Sequence, residues 1–218
     1  DVYKRQGTGS LLIEGVKRLH GAVFTIPADR IEGVTFLCAA AMTGGELCLK
    51  GLEREQLGAV SEALRMTGCR LFWEEGGLLW MRPPRRLLSD FSIITGPFPA
   101  FPTDMQPLLM ALLTLATGHC MISETVFEAR FSQAEGLCRM GADIRIEGRR
   151  ASVFGVERLF GAEVFARDLR CGAALLCAAL AAEGESLVHG AEYVERGYEK
   201  IETALSLLGG EIRLTEQG

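Results

Sequence analysis

The sequence lacks several patterns that would each have indicated a class of protein. It contains no Cys-x-x-Cys pair, and an odd count of seven cysteines in 218 residues argues against a disulfide framework. Positive charge is not in excess: the net charge of −5 argues against a broad nucleic-acid-binding face. The longest apolar stretch, Leu108–Ala116, is far shorter than the roughly 20 residues that span a bilayer.

Two further absences concern targeting and metals. No signal-peptide pattern opens the sequence. No cluster of residues has metal-ligand spacing, and the three histidines lie in dissimilar contexts. Most cysteines lie inside apolar runs, where a free thiol behaves as a small hydrophobe. We therefore expect a protein of the reducing cytoplasm that binds neither a metal nor a membrane.

An internal repeat organises the chain. Residues 15–22 read Gly-Val-Lys-Arg-Leu-His-Gly-Ala, and residues 155–162 read Gly-Val-Glu-Arg-Leu-Phe-Gly-Ala. Each copy follows a short apolar run and precedes an Asp that opens a long apolar segment, and a middle copy has diverged. The repeats span about 10–79, 80–151 and 152–215. Residues 1–6 have no counterpart and are interpreted as a leader or artefact outside a domain of residues 7–218.

Each repeat contains a long segment with the signals of a buried helix. The three segments open at Asp29, Asp104 and Asp168, and each ends at a glycine. An Asp N-cap, about a dozen helix-forming residues and a glycine stop predict a helix. The segments are apolar nearly all round, which places them in a core.

The remainder of each repeat predicts an outer layer of strands. A β-like run, an amphipathic helix and a further strand follow each apolar helix, the last strands being Cys69–Trp73, Ala142–Glu147 and Glu211–Thr215. Because each layer must bury its apolar side, we expect an α/β domain with three helices at the centre, sheets outside and a pseudo-threefold axis.

Four spaced motifs resemble those of the UDP-N-acetylglucosamine enolpyruvyl transferase family. In order, they are Phe101-Pro-Thr-Asp-Met-Gln106, Glu124-Thr-Val-Phe-Glu-Ala-Arg-Phe131, Asp168-Leu-Arg170 and Arg196-Gly-Tyr-Glu199. The resemblance implies an inside-out α/β barrel domain of three βαβαββ repeats. It also implies transfer of enolpyruvyl from phosphoenolpyruvate to the 3-hydroxyl of UDP-N-acetylglucosamine, the first committed step of peptidoglycan synthesis, without a cofactor.

The chain departs from the family pattern in length and at a few positions. Family members are roughly twice as long, and the first domain, with its active-site Cys and its Lys and Arg for phosphoenolpyruvate, has no match here. We therefore expect this C-terminal half to be inactive alone and to require the missing N-terminal domain. Smaller departures are Ala129, where the family often has Asn, and Cys171-Gly172, where it often has small polar residues.

The resemblance implies a role for each of several residues. Asp104 would be the catalytic base at the sugar hydroxyl, although its place in the repeat also suggests a helix cap. Arg170 and Arg196 would hold phosphoenolpyruvate and Arg130 would line the same cleft, whereas an ion pair of Arg196 with Glu192 or Glu199 is the structural alternative. The other residues expected to bind substrate are Thr103, Val126, Phe127 and Asp168, and strand packing is the alternative for Val126 and Phe127.

Two other functions remain open at this stage. One is a 3-phosphoshikimate 1-carboxyvinyltransferase-like enzyme, which shares the fold and phosphoenolpyruvate but lacks a segment like residues 124–131. The other is a non-catalytic UDP-sugar-binding domain. In each case the pseudo-threefold packing would bring three helix N-termini to one end of the domain, where they favour anionic substrates.

Overall fold

The computed structural model describes residues 2–4, 11–13 and 15–215. The predicted leader falls partly outside this range, and within it Val2–Lys4 (β1) pairs antiparallel with Leu11–Ile13 (β2). The first repeat continues with α1 (Arg30–Thr43), β3 (Leu47–Lys50), α2 (Arg54–Met66), β4 (Arg70–Glu74) and β5 (Leu78–Arg82). The boundaries predicted for the domain stay a prediction.

The second repeat follows the same order from its first helix onward, and the third follows it only as far as its second strand. The second contains β6 (Phe91–Ile94), a 3₁₀ turn (Thr103–Met105), α3 (Gln106–Thr114), β7 (His119–Ser123), α4 (Gln133–Arg139), β8 (Asp143–Glu147) and β9 (Arg150–Phe154). The third contains β10 (Glu163–Phe165), α5 (Leu169–Ala181), β11 (Leu187–His189), α6 (Ala191–Glu195) and α7 (Ile201–Leu207).

The three apolar helices form the centre of the domain, as predicted. Helices α1, α3 and α5 pack against one another in every pair. All residues of α3 are buried, so this helix has no polar face to offer to water. The sheets lie outside the helices, in the orders β3-β5-β4, β6-β7-β9-β8 and β10-β11. The prediction of an inside-out α/β domain is confirmed.

The predicted caps are present in the first and third repeats and absent in the middle repeat. Asp29 accepts a hydrogen bond from the backbone N–H of Ile31 at 2.8 Å, and Asp168 caps α5 in the same way. The middle helix is shorter than predicted and begins after the 3₁₀ turn that contains Asp104. The carboxylate of Asp104 lies inside that turn and caps no helix, so the predicted equivalence of the three Asp residues is wrong.

The last predicted strand is also absent. Residues 211–215 form no strand, and no strand in the described part of the chain bonds their backbone. No helix in the described part of the chain is long and apolar enough to cross a membrane.

Candidate active site

Asp104 lies between two arginines that the sequence places far from it. Arg130 donates a hydrogen bond from Nη2 to Oδ1 of Asp104 at 2.7 Å, and Nε of Arg170 lies 3.5 Å from the same oxygen. Both guanidinium groups are largely buried, whereas the Asp104 side chain is 42% exposed. Among the described residues, none donates a hydrogen bond to Oδ2 of Asp104. The second oxygen therefore faces solvent as a free acceptor.

Arg130 reaches Asp104 from the loop between β7 and α4. Its guanidinium lies over the ring of Phe127, 5.5 Å from the ring centroid, in the geometry of a cation–π contact. Its Nε is buried and has no hydrogen-bond partner within the described residues. Leaving a buried N–H of a cation without a hydrogen-bond partner costs free energy. The Nε of Arg130 can therefore still donate a hydrogen bond to a further acceptor.

Asp168 joins the same cluster through the loop before α4. It accepts hydrogen bonds from the backbone N–H groups of Arg170 and Cys171 at 2.9 Å and from the hydroxyl of Ser132 at 2.8 Å. Burial raises the pKa of this carboxyl, but these hydrogen bonds and the charge of Arg130 outweigh burial and lower its pKa from the ordinary value. Asp168 is therefore an ionised helix cap that also orders the start of α4.

A second network beneath Asp104 centres on Glu124, which the sequence reasoning had not singled out. This side chain is 1% exposed. Its Oε2 accepts the hydroxyl of Thr103 at 2.9 Å, and its Oε1 accepts the hydroxyl of Thr95 at 2.8 Å. Oε1 also accepts the backbone N–H groups of Val126 and Phe127 at 2.8 and 3.1 Å.

The Glu124 network already uses polar groups of three predicted substrate-binding residues. The hydroxyl of Thr103 and the backbone N–H groups of Val126 and Phe127 are already bonded within the protein. The side chains of Val126 and Phe127 are 39% and 51% exposed and lie beyond the end of β7, so strand packing does not explain them. What these two residues offer a ligand is an exposed apolar surface.

The motif around Arg196 approaches the cluster through Tyr198. The phenol oxygen of Tyr198 lies 2.8 Å from the hydroxyl of Thr35 on α1, and the charge of Arg170 acts on the same phenol. Burial, the dominant cause, raises the pKa of Tyr198 despite these contacts. Arg196 itself follows α6 and is exposed, and within the described residues it forms no ion pair with Glu192 or Glu199.

Together these contacts bring the starts of the three central helices to one end of the domain. Arg170 in the first turn of α5 meets Asp104 just before α3, and Tyr198 connects Arg170 to α1. The exposed end therefore combines guanidinium groups with helix N-termini, a favourable environment for an anion. No group of three or more potential metal ligands occurs in the described part of the chain.

Comparison with known proteins agrees with this arrangement. The sequence profile of EPSP synthase (3-phosphoshikimate 1-carboxyvinyltransferase) matches residues 1–205. The chain belongs to the EPSP synthase family.

Two similar curated proteins are UDP-N-acetylglucosamine 1-carboxyvinyltransferases. The UDP-N-acetylglucosamine 1-carboxyvinyltransferase 2 of Caldanaerobacter subterraneus is 46% identical over 206 residues, which cover 94% of this chain and 49% of the relative. The UDP-N-acetylglucosamine 1-carboxyvinyltransferase of Novosphingobium aromaticivorans is 48% identical over the same length, covering 94% and 48%. The chain thus spans about half the length of the curated relatives it matches.

Solved structures of the EPSP synthase family share the fold. The enolpyruvyl transferase NikO from Streptomyces tendae aligns with a TM-score of 0.79 at 28% identity, covering 87% of this chain and 45% of NikO. An EPSP synthase from Acinetobacter baumannii aligns with a TM-score of 0.51 at 22% identity, covering 76% of this chain and 39% of that one. The predicted resemblance and the predicted fold are confirmed.

The two small departures from the expected family pattern have different structural settings. Ala129 has φ of +52°, in the left-handed region that Asn and Gly adopt more readily than Ala. Cys171 and Gly172 are buried in α5, where a Cβ on Gly172 would lie 2.5 Å from a methyl group of Val194. The absence of a side chain at position 172 therefore permits the close approach of α6.

Proposed function

We infer that this chain is half of a UDP-N-acetylglucosamine 1-carboxyvinyltransferase, which moves enolpyruvyl from phosphoenolpyruvate to the 3-hydroxyl of UDP-N-acetylglucosamine. The observation that carries this proposal is the contact of Asp104 with both Arg130 and Arg170, three residues expected at the active site from separate motifs. The names of the relatives at 46% and 48% identity support the same substrates.

Asp104 has the geometry of a general base. Its Oδ1 is held by the two guanidinium groups, so the carboxylate cannot rotate freely. Its Oδ2 can accept a proton from a sugar hydroxyl placed at the exposed face of the turn. Asp104 caps no helix, which supports a role other than capping for this residue.

Arg130, Arg170 and Arg196 supply positive charge for phosphoenolpyruvate. A guanidinium offers two parallel donors that match a carboxylate or a phosphate. Arg130 and Arg170 share the carboxylate of Asp104 as an acceptor, so phosphoenolpyruvate would bind to their remaining N–H donors. Arg196 is exposed and lies two positions before Tyr198, which interacts with Arg170, and we infer from this that Arg196 lies at the same end of the domain.

The UDP-sugar has an apolar surface and a polar turn available to it. The side chains of Val126 and Phe127 are exposed beside Arg130, and Thr103 precedes Asp104. Glu124 fixes both segments relative to each other through its hydrogen bonds. We infer that the nucleotide sugar lies across this surface with its 3-hydroxyl toward Asp104.

The other half of the enzyme is the expected partner. Positioning accelerates a reaction most when both substrates are held together. Half of a site that spans two domains therefore provides little of this rate enhancement. We therefore expect the chain alone to be inactive. The free cysteines among the described residues are consistent with work in a reducing cytoplasm, where peptidoglycan precursors would be made.

A shikimate-type activity is the second candidate because the matching family profile bears that name. The test is to co-express residues 1–218 with the N-terminal half of the Caldanaerobacter relative and to measure phosphate release. We expect turnover with phosphoenolpyruvate and UDP-N-acetylglucosamine and none with shikimate 3-phosphate. Turnover only with shikimate 3-phosphate would reverse the assignment, and sugar binding without turnover would support a non-catalytic domain.

A further inference from the structure

Tyr198 places a phenol hydroxyl in the interior of the domain, between two central helices. Tyr198 and Thr35 of α1 are both buried, and their hydroxyl oxygens lie 2.8 Å apart. A phenylalanine would fill nearly the same volume without burying a polar group, and burying a hydroxyl costs free energy unless it forms hydrogen bonds. The partners of the Tyr198 hydroxyl therefore indicate what this residue does.

The hydrogen bonds of Thr35 fix the direction of its contact with Tyr198. The Thr35 hydroxyl donates to the carbonyl oxygen of Ile31, one turn earlier in α1, at 3.0 Å. A hydroxyl carries a single proton, so the Thr35 oxygen can only accept in its contact with the phenol. Tyr198 is therefore the donor, and its proton points toward α1. The lone pairs of the phenol oxygen remain available to another donor.

Arg170 of α5 supplies that donor. A guanidinium has five N–H donors and no acceptor, so it interacts with a phenol oxygen as the donor. Burial raises the pKa of the phenol, and this effect exceeds the opposing effect of Arg170, which acts through its charge and a side-chain hydrogen bond. The phenol therefore stays protonated at neutral pH and keeps donating to Thr35. Arg170, Tyr198 and Thr35 thus form one directed chain of hydrogen bonds from α5 to α1.

The backbone around Tyr198 is fixed beside the first turn of α5. The N–H of Tyr198 donates to the carbonyl oxygen of Val194 in α6 at 3.0 Å. A Cβ on the preceding residue, Gly197, would lie 2.6 Å from a methyl group of Leu169, the neighbour of Arg170 in the chain. The absence of a side chain at position 197 therefore lets this segment approach α5. Packing that does not involve the guanidinium holds the phenol in place.

Asp104 alone does not fix the guanidinium of Arg170 firmly. Nε of Arg170 lies 3.5 Å from Oδ1 of Asp104, whereas a charged hydrogen bond is usually about 2.7–2.9 Å long. Arg130 donates to the same oxygen at 2.7 Å and is the closer partner. A long side chain with one weak contact keeps conformational freedom that it would lose on binding a ligand. The phenol of Tyr198 gives Arg170 a second acceptor, which is itself bonded to α1.

We propose that Tyr198 is a positioning residue that orients the guanidinium of Arg170 for phosphoenolpyruvate. The phenol oxygen accepts one N–H and Asp104 lies next to another, so the remaining N–H groups are left for a carboxylate or a phosphate. Tyr198 acts only through Arg170 and does not contact the substrate. This inference rests on the function proposed above and extends it by one residue.

Tyr198→Phe tests the proposal in the enzyme reassembled from residues 1–218 and the N-terminal half of the Caldanaerobacter relative. Phenylalanine retains the ring and removes only the hydroxyl. KM for phosphoenolpyruvate should rise about tenfold, the usual scale for losing one hydrogen bond to a charged group. KM for UDP-N-acetylglucosamine and kcat should change much less, because the phenol contacts neither that substrate nor Asp104. An unchanged KM for phosphoenolpyruvate would overturn the proposal.

Thr35→Val is the matched control for stability. It removes the other half of the same buried hydrogen bond and retains the shape of the side chain. Both variants should lower the urea midpoint of unfolding, but only Tyr198→Phe deletes the acceptor of Arg170. Thr35→Val should therefore raise KM for phosphoenolpyruvate clearly less than Tyr198→Phe does. Equal rises in the two variants would reduce Tyr198 to a structural role and overturn the proposal.

A double-mutant cycle tests the contact without any turnover. In residues 1–218 alone, Tyr198→Phe should lower the urea midpoint less in an Arg170→Met background than in the parent, because the contact between the two side chains is already absent there. Equal losses in both backgrounds would show that the phenol does not hold Arg170. If the reassembled parent shows no turnover with both substrates, the proposed function fails, and this cycle still decides whether Tyr198 positions Arg170.

Discussion

Arg130 and Asp104 are 26 positions apart and are joined by a hydrogen bond of 2.7 Å between Nη2 and Oδ1. The contact brings together the turn before α3 and the loop between β7 and α4. Arg170 approaches the same oxygen from the third repeat, so one carboxylate connects three sequence motifs.

The first prediction concerns Asp104 as a base. In the enzyme reassembled from both halves, Asp104→Asn should lower kcat by about 10²–10⁴, the usual contribution of a general base, and change KM less. Because the substitution also removes the charge partner of two largely buried arginines, the thermal midpoint of the variant should fall as well. Asp29→Asn, which alters a true cap but no site residue, should leave kcat intact. An unaffected kcat in Asp104→Asn would remove the residue from the mechanism.

A second prediction separates the arginines by ligand. Arg170→Lys and Arg196→Lys should each reduce kcat/KM for phosphoenolpyruvate by roughly ten- to a hundredfold, because lysine loses the planar two-point contact and a charged hydrogen bond is worth about 1.5–3 kcal/mol. UDP-sugar affinity measured by calorimetry should change less. Arg139→Lys on α4, whose guanidinium pairs with exposed Glu135 and lies over the ring of Phe165, is the control. Equal effects in all three variants would make these arginines structural.

Glu124 gives a third prediction, directed at positioning. Glu124→Gln removes the negative charge that accepts four hydrogen bonds and turns an amide N–H₂ toward one of the four donors. The free energy of unfolding should fall by about 1–3 kcal/mol. KM for the UDP-sugar should rise more than kcat falls, since Thr103 and Val126 lose a shared acceptor. Glu128→Gln, at an 87% exposed side chain, should have neither effect. A stable variant with unchanged KM would limit Glu124 to a role in folding.

Acid should destabilise the domain through the same residue. Burial raises the pKa of Glu124, but its hydrogen bonds outweigh burial and hold the pKa below the ordinary value of 4.5. Its stabilisation is therefore full above about pH 4.5 and is lost as the pH falls through the lower folded-state pKa. Urea unfolding between pH 6 and 3 should show a shallower loss of stability in Glu124→Gln than in the parent. If the free energy of unfolding fell equally with pH in Glu124→Gln and the parent, the lowered pKa of Glu124 would be contradicted.

Ala129 provides a prediction about backbone strain. Its φ of +52° costs an ordinary L residue about 1–2 kcal/mol, and glycine avoids most of that cost. Ala129→Gly should therefore raise the thermal midpoint slightly or leave it unchanged, despite the greater freedom of the unfolded chain. Ala134→Gly in α4, where φ is helical, should lower it by the usual penalty of glycine in a helix. An equal fall of the thermal midpoint in both variants would show that the backbone at position 129 is unstrained in solution.

The sequence predicted the helices better than it predicted the site. Asp29 and Asp168 satisfied the rule for an N-cap, and both cap helices in the structure. Asp104 satisfied the same rule but lies in a 3₁₀ turn after Pro102, where two guanidinium groups bind its carboxylate. That outcome depends on residues 26 and 66 positions away in the chain and could not follow from local spacing.

The strands and the buried acid show a second limit of sequence reasoning. Residues 211–215 had the pattern of a strand, but a strand also needs a neighbour to bond its backbone, and among the described residues no strand pairs with them. Glu124 stood inside a motif that was interpreted through Val126 and Phe127. The signal that could have identified it is a Glu at the end of a strand with threonines on both sides of the loop, since such a carboxylate accepts local donors.

Repetition gives this domain a form of redundancy. A structural interaction that occurs once cannot be lost without a cost to folding, whereas one that occurs three times can be lost in one copy while two remain. Here the two flanking repeats retain the Asp that holds a central helix at its start, and the middle repeat retains the Asp but not that contact. The symmetry of the scaffold thus releases one acidic side chain from holding the fold together and makes it available to a ligand.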